Sequence, residues 1–314
     1  EVIDNFGNRI TKKQYSYEDG ILNGEPVYYW PDYSGETIFG DSYTAVRFFS
    51  MSVVPVSSNP AGGAVSYSKV CEKIPGKGKT VYTYSNHDGF PDEKSVGIDH
   101  YATNYSPLSG REILRGKLLE ARMYEEGKSR PVKTETYDYL IPGNNAKYIK
   151  SMYIRRMNVL NSASEIPIDV VDGWAYRIYI HPYNKVKKTE CLYVSGTDDK
   201  ITTTSKWTYG PYNLLTSYSH GIAGSMEEVR YYYPFDFGAS GIYKSMLESH
   251  MLSALIRRVE SYNRTETSRD EIEYGQSREI THEKILPVVS KRSYDQGKNW
   301  EKTMQVTAYD IMGN

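Results

Sequence analysis

Tyrosine recurs at alternate positions along much of this chain, and that alternation constrains the fold more than any other feature. It is seen in Thr80-Val81-Tyr82-Thr83-Tyr84-Ser85, in residues 133–139 (KTETYDY), 176–180 (YRIYI), 229–233 (VRYYY) and 305–309 (QVTAY). A period of two with Tyr, Val, Ile and Thr is the pattern of a β-strand, whose successive side chains point to opposite faces. Tyrosine suits such a strand because its ring packs against cross-strand neighbours while its hydroxyl reaches water. With 31 Tyr against 7 Phe and 4 Trp, both faces of a thin sheet can be built from it. Clusters at Glu18-Asp19-Gly20, Asn86-His87-Asp88-Gly89, Glu125-Glu126-Gly127, residues 142–145, residues 195–199 and Asp295-Gln296-Gly297-Lys298 supply residues that tolerate positive φ, as hairpin turns require.

One segment breaks the alternation. In residues 241–256 (GIYKSMLESHMLSALI), Tyr243, Met246, Leu247, Met251, Leu252, Ala254 and Leu255 fall at helical spacing, which predicts an amphipathic helix packed on the sheet. Residues 111–123 fit a helix or strands equally, because Gly116 and the following alternation oppose the helical reading. Residues 50–63, with Pro55, Asn59-Pro60 and Gly62-Gly63, read as a loop. No stretch is long or polar enough to serve as a domain linker, so the expectation is one domain over residues 1–314, with a two-domain β-sandwich as the alternative.

A repeated phrase appears at the two ends. Tyr309-Asp310-Ile311-Met312-Gly313-Asn314 reads YDxxGN, and residues 4–11 read DxxGNRIT, the same phrase without its tyrosine. Tyr294-Asp295-Gln296-Gly297 and Tyr137-Asp138 are degenerate copies. Each unit is expected to be a strand ending in Tyr-Asp, a turn whose Asp accepts backbone N–H groups and whose Gly-Asn takes positive φ, and a returning strand. The phrase resembles the YD-repeat (Rhs) family of bacterial secreted and surface proteins, with the match concentrated at the ends. That resemblance implies hairpins wound into a spiralling sheet, export from the cell, and often a variable C-terminal tip. This chain has neither the tip nor the self-cleaving segment before it, so toxin or protease activity is not carried over.

Composition narrows the function classes. Lys plus Arg (38) and Asp plus Glu (39) leave a formal charge of −1, which removes the electrostatic argument for a general nucleic-acid binder, because phosphate binding needs a cationic excess. The most apolar run, residues 48–56 (FFSMSVVPV), is far short of the roughly 20 residues that span a bilayer. No export signal lies in this sequence; the expectation is that any such signal lies outside it. Cys71 and Cys191 stand 120 positions apart without CxxC spacing, so they are read as buried thiols rather than a zinc site or a disulfide. No GxGxxG, P-loop, HExxH, GxSxG or calcium-loop motif occurs. The six histidines are scattered, and the acids Asp198, Asp199, Glu227, Glu228, Asp270 and Glu271 sit in turns or charged strand faces.

The aromatic clusters carry more weight than the acids. Tyr28-Tyr29-Trp30, Trp207 with Tyr209 and Tyr212, and residues 231–233 with Phe235 and Phe237 could offer flat platforms to sugar rings. Sheet packing, with Lys or Arg laid across the rings, is the preferred reading. Consecutive tyrosines must point to opposite faces, so Tyr232 is the ring expected to leave the face shared by Val229, Tyr231 and Tyr233. The sequence thus predicts an all-β fold of antiparallel hairpins in a curved or partly wound YD-repeat-like sheet, with one short helix near 241–256. Its expected role is non-enzymatic, a scaffold, surface-interaction or cargo-enclosing segment of a large exported protein, with no cofactor, no metal and no membrane span. The expected partners are its own downstream repeat or tip domains and a cell-surface glycan or protein. A carbohydrate-binding module is the alternative and a glycoside-processing enzyme the third. The ligand-binding candidates are Trp30, Trp207, Tyr209, Tyr212 and Tyr232.

Overall fold

The computed structural model describes residues 2–3, 9–22, 27–36, 40, 42–53, 65–98, 108–141, 146–160, 167–194, 197, 199–238 and 240–313, with backbone alone at 2–3, 9–11, 27–36, 42–53, 98, 155–160 and 167–170. The alternating segments of residues 80–84, 133–139, 176–179 and 229–232 become strands, whereas in residues 305–309 only Gln305 is strand, at the end of Glu301–Gln305. Strand accounts for 56% and helix for 8%, the pairings are antiparallel, and among the described residues no barrel closes. The backbone divides into two compact units, one of residues 1–131 and 140–184 and one of residues 132–139 and 185–314.

In the first unit the strands Gln14–Leu22, Val65–Ile74, Gly78–Tyr84 and Leu118–Tyr124 pair in that order. A long ribbon, Tyr148–Leu160 with Pro167–Tyr179, takes Val96–Ile98 as a third strand. Val27–Glu36 pairs with Ser42–Val53, so residues 50–53 extend a strand where a loop was expected, and residues 54–63 of that expected loop lie outside the described residues. The even choice over residues 111–123 resolves into a 3-10 turn at Glu112–Leu114 and the strand from Leu118, separated by Gly116 at φ +69°. Glu18-Asp19-Gly20 is no turn: it lies inside Gln14–Leu22, where the Tyr67 ring covers Gly20 so closely that an added Cβ would stand 2.9 Å from it. Glycine there makes room for a ring, a use of glycine that turn statistics do not reveal.

In the second unit the strand Lys133–Tyr139 pairs with Lys185–Tyr193, and from there every strand pairs with the next along the chain: Lys200–Tyr209, Leu215–Ile222, Ser225–Tyr232, Arg257–Tyr262, Thr265–Gly275, Leu286–Ser293 and Glu301–Gln305. Tyr137-Asp138 lies within the first of these strands and is therefore not a turn-forming copy of the repeated phrase.

The expected helix forms, but only over Gly241–Glu248. Met246, fully buried, seats it on the sheet. Its end is set by backbone geometry: His250 takes φ +57° and donates to the Leu247 carbonyl, and the Met251 N–H donates to the Met246 carbonyl at 2.9 Å. These two bonds are a Schellman cap, which stops the helix although the apolar spacing continues through Leu255. Ile256 then joins the sheet, donating to the Tyr232 carbonyl and accepting from Ile272.

Among the described residues few large side chains are buried; in the second unit these include Met246, Ile256 and Val259, and in the first Leu114 and Trp174. Most strand residues are half-buried. Far-ultraviolet circular dichroism is expected to be dominated by strand with a minor helical contribution; a helix-dominated spectrum would contradict this architecture.

Candidate functional site

The second unit gathers the aromatic residues that the sequence singles out. Cross-strand pairing sets Ser205 opposite His220 and Trp207 opposite Tyr218, so all four share one face. There the Trp207 and Tyr218 rings lie 5.3 Å apart, Tyr218 stacks on His220 at 6.4 Å, and the Lys185 ammonium sits 4.2 Å from the Trp207 ring and 5.6 Å from that of Tyr137. Lys188 also approaches Tyr137, at 5.8 Å. The Tyr209 hydroxyl donates to the Lys185 carbonyl at 3.2 Å. Trp207 is therefore engaged by a cation and a neighbouring ring, and Tyr209 by a backbone bond. These are packing roles, with the cation–π cover that the sequence led us to expect.

Beside this row the same face carries a charged ladder. Glu135 accepts from Lys188 at 2.9 Å and from the Tyr137 hydroxyl at 2.6 Å, and Lys133 lies 2.9 Å from Glu135 and 3.0 Å from Glu190. Burial works to raise the Glu135 carboxyl, but the hydroxyl and two ammonium groups outweigh it and hold the group down at about 2. Burial first, and then the Glu135 hydrogen bond, push the Tyr137 phenol upward.

Phe237 and Tyr243 border a cleft of about 370 Å³ between the helix and the sheet, and Tyr232 lies behind Phe237 without lining it. Phe237 stacks on Tyr243 at 5.0 Å and meets Tyr232 edge-on at 6.5 Å, and the Arg257 guanidinium lies 5.0 Å from Phe237 and 5.9 Å from Tyr232. Arg257 donates to Glu271 at 2.6 Å; Lys291 lies 3.4 Å from Glu271 and 2.6 Å from Glu273. The cleft thus offers one aromatic wall and one wall of alternating, mutually neutralised charge. Tyr232 is half-buried against these groups. Tyr233 is buried beyond the strand end, its hydroxyl donating to the Leu215 carbonyl at 2.8 Å.

Tyr212 differs from the other candidates. It occupies the tip between two strands at φ +55°, followed by Asn213 at φ +60°, with 63% of its surface exposed and Phe235 behind it at 5.7 Å. Two consecutive left-handed residues closed by Leu214 N–H to the Pro211 carbonyl make a type I′ turn, which glycine or asparagine usually fills. Trp30 lies in the Val27–Glu36 strand opposite Arg47, and its side chain is outside the described residues.

Of the acids named from the sequence, Glu228 pairs with Arg230, Glu271 with Arg257 and Lys291, and Asp270 with two arginines, while Asp198 lies outside the described residues. Asp270 bonds Arg292 at 2.5 Å and Arg258 at 3.3 Å, and the Arg292 bond leads in lowering its carboxyl, the opposite of what a general acid needs. Sequence inspection missed the Ser205–His220 pair, joined Oγ to Nδ1 at 2.9 Å, because the partners are 15 positions apart and only register brings them together. Ser205 is buried beneath its neighbours, which fits packing rather than attack on a substrate. Among the described residues no three His, Cys, Asp or Glu gather around a possible metal position, and Cys71 and Cys191 are free thiols.

The repeated phrase also takes shape. Asp310 Oδ1 accepts the N–H groups of Met312 at 2.9 Å and Gly313 at 2.8 Å, with Gly313 at φ +93°. Asp295 Oδ1 accepts those of Lys298 at 3.0 Å and Asn299 at 2.8 Å, with Gln296 and Gly297 at positive φ. The Tyr309 hydroxyl bonds the Pro287 carbonyl, and its backbone N–H donates to the Ile280 carbonyl at 2.9 Å. Asp4 to Asn8 of the opening copy lie outside the described residues.

Two outcomes follow from these contacts. Tyr137→Ala removes a half-buried ring, its two cation contacts and the bond to Glu135, and is expected to lower stability by about 2 kcal/mol in urea titration; an unchanged midpoint would remove the packing role. The Asn299 backbone N–H, the Ser293 hydroxyl and the Asn299 amide hold the Asp295 carboxyl at about 2, below its usual value of 3.8. Stability from a depressed carboxylate is fully present above the unfolded value and is lost as pH falls through the folded one. Asp295→Asn should therefore flatten the stability profile between about pH 4 and pH 2 relative to the parent chain, as measured by urea midpoints across that window.

No protein-family model matches this chain, and no curated protein matches it.

Proposed function

We propose that this chain is a non-enzymatic structural and interaction segment of a large exported bacterial protein of the YD-repeat (Rhs) kind, in which successive hairpins extend one sheet toward neighbouring repeats or a tip domain. The observation that carries the reading is the recurrence of one turn chemistry. At Asp295 and at Asp310 a carboxylate after a tyrosine accepts two backbone N–H groups while the glycine takes positive φ. This supports the repeat reading, and the turn at Asp295 joins Leu286–Ser293 to Glu301–Gln305 within a meander of strands connected in chain order. The commitment of Trp207, Tyr209 and Tyr137 to packing supports a scaffold rather than an open ligand platform.

A second reading, a carbohydrate-binding module, is favoured by the cleft beside the helix. Its stacked Phe237 and Tyr243 form a flat apolar wall, and Arg257, Glu271 and Lys291 supply donors and acceptors suited to hydroxyl groups. An array of glycans free of sulfate and phosphate, probed with the whole chain, is expected to show no saturable binding. Saturable binding that Phe237→Ala abolishes and Tyr137→Ala preserves would replace the scaffold reading with the second one.

A further inference from the structure

The first unit carries a concentration of lysines that neither reading uses. The segment Lys73-Ile74-Pro75-Gly76-Lys77-Gly78-Lys79 closes a hairpin whose register sets Ile74 opposite Gly78 and Lys73 opposite Lys79. Pro75 and Gly76, the latter at φ +78°, form a type II turn closed by Lys77 N–H to the Ile74 carbonyl at 3.0 Å. Gly78 takes φ +124°, and a Cβ there would stand 2.0 Å from the Tyr124 carbonyl oxygen. Only glycine lets the neighbouring strand approach this closely. That approach matters because Tyr124 pairs with Lys79, and the turn after it brings Lys128 to the same end of the sheet.

The result is a pocket of about 240 Å³ walled by Lys73, Lys79 and Lys128 with Glu125 and Glu126. Lys73 engages Glu126 at 3.3 Å. Lys79 has only the Tyr124 ring, at 5.3 Å, and among the described residues Lys77, Lys79 and Lys128 have no carboxylate within ion-pair distance. Like charges directly opposite on paired strands destabilise a sheet. Lys73 and Lys79 are such a pair, and only one of the two is neutralised within the chain. An anion between them would turn that repulsion into attraction.

We propose that this pocket binds a tetrahedral oxyanion, the phosphate or sulfate group of a small hydroxylated ligand. Lysine ammonium groups are compact point charges that can converge on such a group from several sides. Glu125 lines the same wall and supplies an acceptor for a ligand hydroxyl. A nucleic acid would need an extended basic surface, which this chain of net charge −1 does not offer. The site is independent of the cleft beside the helix and of the scaffold reading.

The test is calorimetric titration of the whole chain with inorganic phosphate, with sulfate, and with a sulfated disaccharide beside its desulfated parent, at ionic strength fixed with chloride. Saturable binding is expected for the sulfated disaccharide and not for its parent, and binding of the free ions as well would place recognition in the oxyanion alone. Lys79→Thr combined with Lys128→Thr should weaken binding about tenfold or more, whereas Lys206→Thr combined with Lys298→Thr, an equal change in net charge elsewhere, should not. A second readout covers misfolding: Lys79→Thr should match or exceed the parent's melting temperature in chloride and fall below it in saturating sulfated ligand. Equal affinity in the two double variants, no binding beyond that of chloride, or identical thermal responses of Lys79→Thr and the parent would overturn the site.

Discussion

Cross-strand side-chain contact on a thin sheet is the interaction on which the rest of this structure depends. Among the described residues so few side chains are buried that no thick core is seen to bear the load. The strands are tied by ladders instead. One runs through Tyr137, Lys185, Trp207, Tyr218 and His220, another through Lys133, Glu135, Lys188 and Glu190, and a third through Arg258, Glu260, Asp270 and Arg292. An isolated exposed ion pair contributes about 0–1 kcal/mol. In these ladders most charges touch two partners and lie half out of water, so the sum over a face is what matters rather than any single bond.

This mode of stabilisation decides what the aromatic residues can do. A ring with a cation over it and another ring beside it, as at Trp207, is already spoken for. The cleft by the helix exists because the chain leaves the meander there: Pro234–Phe237 and Gly241–Glu248 are inserted between two paired strands and overlie the sheet. That excursion places Phe237, Tyr243 and Arg257 together, and among the described residues of the second unit it supplies the α-helix that covers the sheet. The lysine pocket of the first unit has the opposite origin, in a hairpin end where close backbone approach at Gly78 packs two turns side by side.

The turns connect local chemistry to architecture. An aspartate that accepts two N–H groups of its own turn fixes the direction of the returning strand before any distant contact forms. Tyr309 adds a long-range anchor, since its hydroxyl and backbone reach the Pro287 and Ile280 carbonyls while the His282 ring bonds the Tyr309 carbonyl at 2.9 Å. The tyrosine and aspartate of the phrase thus have separate tasks, one tying the turn to the sheet and the other closing it.

The sequence by itself determined the strand identity of most alternating segments, residues 306–309 excepted, the Asp-centred turns at Asp295 and Asp310, and the existence of a helix from Gly241, because each rests on spacing over a few residues. It also pointed to cations over aromatic rings, but not to which cation covers which ring, because Lys185 reaches Trp207 and Tyr137, and Arg257 reaches Tyr232, from other strands. It did not determine where the helix stops, because a left-handed His250 closes it while the apolar spacing runs on. Nor could it show that Asp19-Gly20 lies within a strand under Tyr67, that Ser205 meets His220, or that Lys73, Lys79 and Lys128 share one pocket. These depend on register, and register is a property of paired strands: it sets which residue of one strand faces which residue of another, and no single strand carries that information.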